Sequence, residues 1–231
     1  MLNVPFVSLA IGLGLAATVS VQTPRAPAKA TTWDKKQTGT QFIEVKPGTF
    51  IMGEGIDAQK AEIKTGFYLA STVVTQKQWK TIMKTEPWKG KVMIKEGDDF
   101  PATGVSWDDA NAFCKKLSES AKRSFRLPTE TEWEFACRAG TRTRYLFGDQ
   151  ADKLGDYAWY YDNATNAKES WPHQVARKKP NPWGFYDMQG NTWEWCSDVF
   201  QSKLLMNQRV TRGGAFFGNA DSCRVALSFL C

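Results

Sequence analysis

The sequence predicts an α+β domain of short strands, few helices and long irregular stretches. Three observations carry this. Short apolar runs bounded by turn residues recur early in the chain, as in Phe42-Ile43-Glu44-Val45 and Phe67-Tyr68-Leu69-Ala70. Helical periodicity appears in a few short places, each behind a capping residue. The stretch from Thr141 to Asn181, rich in Tyr, Trp, Asp and Asn, shows almost no period. Segments of that kind are tied down by hydrogen bonds, ions or aromatic packing.

The elements follow in order. Phe42–Val45, the turn at Pro47-Gly48 and Thr49-Phe50-Ile51-Met52-Gly53 predict a β-hairpin. Phe67–Ala70 predicts a further strand. Thr75-Gln76-Lys77-Gln78 is a capping box, and Trp79, Ile82 and Met83 continue it on one helical face. Ser106-Trp107-Asp108-Asp109 opens a second helix whose buried stripe is Ala110, Phe113, Cys114 and Leu117. Pro128-Thr129-Glu130-Thr131-Glu132 opens a third, with Trp133, Ala136 and Cys137 inward and Gly140 suited to its C-terminal cap.

Residues 1–30 read differently. Val4 to Val21 carries no charge, and Ala28-Lys29-Ala30 or Thr18-Val19-Ser20 offers a small-residue cleavage site. This is the pattern of a secretory signal peptide. The n-region Met1-Leu2-Asn3 lacks Lys and Arg, so an uncleaved N-terminal anchor is the alternative. Residues 31–40 then form a linker, and 41–231 the domain. The chain is expected to be exported, to the periplasm, the cell surface or the medium. A membrane would be met only through the N-terminal segment.

Of 231 residues ten are tryptophan, enough large amphipathic rings for both a core and a binding surface. The net charge of +6 is scattered and forms no basic stripe interleaved with aromatics, so nucleic acid is not an expected partner. Five cysteines leave at least one thiol unpaired in an oxidising compartment. With no C-x-x-C pair and His173 as the lone histidine, zinc is not expected.

Two segments carry most information. Asn181 to Asp198 alternates glycine turns, carboxylates and tryptophans. Asp187 and Glu194, with turn carbonyls between them, suit calcium, which wants hard oxygens. Equally, such carboxylates cap turns or pair with arginines. The second segment runs from Arg209 through Arg212-Gly213-Gly214 and an aromatic pair to Cys223-Arg224-Val225-Ala226. Paired glycines permit positive φ or close backbone approach.

Phe42–Gly53, Val105-Ser106-Trp107-Asp108-Asp109-Ala110, Arg126 to Glu134, Gly184 to Asp198 and Arg209 to Gly214 occur in this order. Together they resemble the formylglycine-generating enzyme family, or sulfatase-modifying factors, over about residues 41–225. The resemblance implies a C-type-lectin-like fold. It also implies one calcium site, with side-chain oxygens from Asp187 and Glu194 and backbone carbonyls from Gly190 and Thr192.

The family enzyme oxidises a sulfatase cysteine to formylglycine with two cysteines five residues apart, which hold copper(I). In this sequence Cys223 matches the second and Gly218 stands in place of the first. Soft thiolates suit copper(I) and glycine supplies none, so the resemblance implies neither copper nor catalytic residues here. It implies instead a disulfide for Cys223, with Cys196 as its partner. Cys114 and Cys137 read as buried helix-face cysteines.

What remains is a binding role, with a protein or surface ligand as partner. Some family members resemble variable proteins of diversity-generating retroelements, which alter a C-terminal stretch to vary what they bind. Positions that depart from the family pattern are then the candidate ligand-binding residues: Ala215, Phe216, Phe217, Gly218, Asn219, Asp221, Ser222, Leu227 and Phe229. The phenylalanines form either a surface patch or core. The alternative function is a formylglycine-generating oxidase or an accessory factor for sulfatase cysteines. Relatives continue to a final strand ending in Gly-Phe-Arg; without it a sheet edge would lie open.

Overall fold

A computed structural model describes residues 6–12, 39–200 and 208–231. Ten strands and four α-helices are present among them. Strands β1 (Phe6–Val7), β2 (Ala10–Gly12), β3 (Phe42–Val45), β4 (Gly48–Met52), β5 (Gln59–Ile63) and β6 (Phe67–Ala70) come first. Helices α1 (Gln76–Met83) and α2 (Trp107–Ala121), strand β7 (Phe125–Arg126), and helices α3 (Glu130–Arg138) and α4 (Leu154–Tyr157) follow. Strands β8 (Glu194–Phe200), β9 (Gln208–Arg212) and β10 (Ser228–Leu230) close the chain.

The strands make three sheets, in the orders β1-β8-β9-β10, β3-β6-β2-β7 and β4-β5. All three longer helices start as the sequence predicts. Thr75, Ser106 and Thr129 each accept the third helical amide, and Gln78, Asp109 and Glu132 cap back. Each satisfies two amides that the helix itself leaves orphaned. The left-handed residue ending α3 is Ala139, one position before the expected Gly140. Gly140 continues the turn, also at positive φ.

The predicted hairpin does not form. β3 pairs with β6 and β4 pairs with β5, in different sheets. The reason lies in burial. Phe42, Ile43 and Val45 are all buried, so β3 needs cover on both faces, which a two-stranded hairpin cannot give. Every residue of β4 is half-buried. Pro47, with no N–H to donate, separates the two.

Two large cores result. One surrounds α1 and α2, where Trp79 stacks on Phe113 at 5.2 Å. The other lies between α3 and the sheets, around Trp133, Phe135 and Phe185. All five cysteines are free thiols. The expected Cys196–Cys223 disulfide is absent because the two sit in different packing clusters. Cys196 lies in the α3 core, and Cys223 packs with Tyr145, Leu154 and Ala158. Cys114 and Cys137 are buried on their helices, as expected.

The N-terminal span read as a leader also enters the fold. Ser8, Leu9, Ala10 and Ile11 are buried. β2 lies between β6 and β7, and β1 runs parallel to β8. No helix among the described residues is long and apolar enough to cross a membrane.

Candidate binding face and cation loop

The loop before β8 is held by its own side chains. Asn181 donates to the carbonyls of Ala136 and Cys137 at the end of α3 and accepts the amides of Trp183 and Phe185. Asp187, Gly190 and Asn191 all have positive φ. Only glycine fits at 190, because a Cβ there would collide with the Trp159 carbonyl. Asn191 clamps His173, accepting its amide at 2.8 Å and donating to its carbonyl at 3.1 Å.

Of the four predicted cation ligands, Asp187, Gly190 and Thr192 lie on this loop and Glu194 is the first residue of β8. Glu194 is buried; its Oε2 accepts from Trp133 Nε1 at 3.0 Å and from the Ser8 hydroxyl. Its Oε1 is buried with no partner. The carboxylate of Asp187 accepts the Ala176 amide at 2.8 Å and faces the Asn191 amide at 3.5 Å. Burial pushes the Asp187 carboxyl up to about 6 and that of Glu194 up to about 7, where the Asp187 charge adds to the rise. The Gly190 carbonyl accepts the Thr192 amide at 2.7 Å and keeps a second lone pair. An unpartnered buried carboxylate oxygen is the kind of hard donor that suits a calcium ion. Among the described residues, no group of three or more His, Cys, Asp or Glu could hold a metal ion.

The strings singled out in the sequence prove to be wired together. Trp133 reaches Glu194, and the amide of Glu130 donates to Asp198 at 2.7 Å. Arg126 forms a fork with Glu132 at 2.6 and 2.7 Å. Glu134 takes two guanidinium groups: Arg138 at 2.8 Å and, on its other oxygen, Arg212. Arg212 also donates to the carbonyls of Ala226 and Val225. All three charged side chains are buried. The double glycine turns the chain above them. A Cβ on Gly214 would lie 2.7 Å from the Ser222 carbonyl.

The candidate ligand-binding residues divide. Ala215 and Phe216 are buried, so they belong to the packed interior and not to a surface. Gly213-Gly214 bends the chain inward there, and the Phe216 amide donates a hydrogen bond to the Asn191 carbonyl at 3.0 Å. Phe217, Gly218, Ser222 and Leu227 are half-buried, and Asn219 and Asp221 are exposed. Phe229, 50% exposed, lies on the edge strand β10 against Trp193, with ring centroids 4.7 Å apart. Gly218 and Cys223 do come together, through Ser222. A Cβ on Gly218 would strike the Ser222 hydroxyl, and that hydroxyl lies 4.0 Å from Cys223 Sγ. Cys223 itself is fully buried, and burial pushes its thiol up to about 12.

Sequence reasoning missed one contribution to this face. The Tyr161 amide donates to the Gly218 carbonyl, and the Thr165 hydroxyl donates to that of Phe216. Tyr161 is 46% exposed. Trp159 stacks on His173 at 3.8 Å, and the Lys178 ammonium lies 3.9 Å from the Trp159 ring centroid. The run Trp159-Tyr160-Tyr161 in an otherwise irregular stretch was the available signal.

The model of the sulfatase-modifying factor enzyme 1-like domain matches residues 27–229. The chain belongs to the sulfatase-modifying factor family. Within it, the inactive C-alpha-formylglycine-generating enzyme 2 of Bos taurus is 36% identical over 135 residues, covering 55% of this chain. The chain matches 42% of that bovine protein's length. The chaperone protein LppX of Paenibacillus barcinonensis is 24% identical, over 80% of this chain and 81% of its own. Among solved structures, Treponema denticola variable protein 1 superposes with a TM-score of 0.71 and 25% identity, over 83% of this chain and 90% of its own. PvdO from Pseudomonas aeruginosa, at a TM-score of 0.77 and 19% identity over 90% of this chain and 93% of that one, shares the fold. The mixed α and β architecture is the fold of these neighbours, similar to the formylglycine-generating enzyme and to C-type lectins.

Proposed function

We propose that this sulfatase-modifying factor domain is an exported, calcium-stabilised binding module that does not make formylglycine. The observation that carries this reading is the environment of position 218. Where the resemblance implies a copper-holding thiol there is a glycine, and the side-chain space beside it is taken by the Ser222 hydroxyl. The remaining thiol, on Cys223, is buried and held protonated. A linear copper(I) site needs two thiolates, so the residues present do not fit that ion.

The binding surface would be the face around Phe217, Gly218, Asn219, Asp221 and Ser222, with Tyr161 beside it. Its likeness to the Treponema denticola variable protein supports a surface whose residues change while the framework stays. The buried Arg212–Glu134–Arg138 group and the Asn181 and Asn191 clamps supply that framework. Calcium would sit at Glu194, with Asp187, Gly190 and Thr192, and would neutralise two buried carboxylates.

The test is direct. Purified protein loaded with copper(I) should leave a cysteine-containing sulfatase peptide unmodified by mass; turnover to formylglycine overturns the reading. A template repeat near the gene, differing only at adenines, would support diversification of the face.

A further inference from the structure

Residues 8–11 occupy an unusual place for a span that reads as a leader. β2 is bonded on both sides: Ala10 lies opposite Leu69 on β6 and Arg126 on β7, and Ile11 lies opposite Tyr68 and Phe125. The Ala70 amide donates to the Leu9 carbonyl at 2.9 Å. Side chains alternate between the two cores. Leu9 and Ile11 join the cluster that holds Phe42, Phe125 and Trp195. Ala10 joins the cluster that holds Ile43, Leu69 and Trp133. Ser8 donates to Glu194.

A strand covered on both faces must be apolar throughout. That requirement and the h-region of a signal peptide leave the same mark on a sequence. The consequence for the fold is large. β7 is a two-residue strand whose sheet neighbour is β2. Without β2, the sheet β3-β6-β2-β7 would part at its third member. One edge of β6 would open, and both cores would lose a wall.

We propose that the slot between β6 and β7 is a strand-acceptor site whose resident strand is Ser8–Ile11 of this chain. The site selects an extended peptide with a small residue at its centre, since Ala10 is fully buried. It wants branched apolar residues on either side of that centre. It also wants a hydroxyl two positions before it, to meet Glu194. A mature chain that began beyond residue 12 would present the same slot to an added strand of this chemistry.

Ala10→Lys in the full chain tests this, because it places an unpaired charge in the slot. We expect the melting temperature to fall by about 10 °C. A synthetic peptide of residues 5–13, added in excess, should restore most of that loss, and a scrambled peptide should not. A variant that melts with the wild type, or whose loss the native peptide leaves unrepaired, overturns the proposal. If the variant is insoluble, hydrogen exchange on the wild-type chain decides. Slow exchange of the Ala70 amide supports the slot, and exchange at the rate of an open strand edge overturns it.

Discussion

Glu194 and Asp187 tie stability to pH and, under the proposed calcium reading, to a cation. Burial raises both carboxyls, to about 7 and about 6, above the ordinary values near 4. The folded state therefore holds more protons than the unfolded one between about pH 4 and 7. Stability without a cation is greatest at the acid end and falls as pH rises through that window. Calcium binds the ionised forms, so it should act in the opposite sense. Melting curves in a chelator should shift downward from pH 5 to pH 8, and excess calcium should recover the loss most at pH 8. A flat or rising profile in chelator would contradict the assignment of these groups. At Gly218 the argument is steric. Gly218→Cys should not by itself give an accessible thiol pair, because Ser222 fills the space. Thiol titration of the folded variant should detect little gain, and pairing it with Ser222→Gly should raise the count by one. The turn that sends Phe216 inward and leaves Phe217 half-buried was not legible in the sequence. Two adjacent phenylalanines after a double glycine have no period, and only the direction of the Gly213-Gly214 bend separates core from surface.

At the scale of elements, legibility followed locality. Each longer helix announces itself within four residues, through Thr75, Ser106 and Thr129, and each begins where the sequence places it. The strands do not, because a strand's partner is chosen by distant residues. β3 and β4 are neighbours in sequence yet pair in different sheets. The pairing of β2 was illegible for a related reason: its apolarity suits both export and burial, and its partners β6 and β7 lie far along the chain. The caps also carry measurable weight. Thr129→Ala removes the cap of α3, the helix that presents Trp133 to Glu194 and Glu134 to Arg212. It should cost about 1 kcal/mol, seen as a fall of about 2–4 °C in melting temperature for a domain of this size. A loss well beyond that would mean the threonine does more than cap.

For the whole molecule, the informative strings are far apart in sequence because they close one structure from several sides. Arg126 to Glu134, Gly184 to Asp198 and Arg209 to Gly214 converge on α3, where Glu130 meets Asp198, Trp133 meets Glu194 and Glu134 meets Arg212. Glu134 receives Arg138 from its own helix, Arg212 from β9 and the Gly53 amide from the end of β4. With all of this buried, the group's worth lies in completeness. Removing one charge leaves others buried and uncompensated. Glu134→Gln nearly preserves shape, yet leaves two guanidinium groups facing a neutral amide. The expected loss is about 3–5 kcal/mol, a large part of the 5–15 kcal/mol that a domain has to lose. Urea denaturation would measure it as a lower midpoint with an unchanged slope. Arg212→Met in the Glu134→Gln background should cost less than Arg212→Met alone, because the two side chains share one interaction. Additive losses would show that Glu134 and Arg212 act separately, and that the lectin-like frame is held by packing around Trp133 instead.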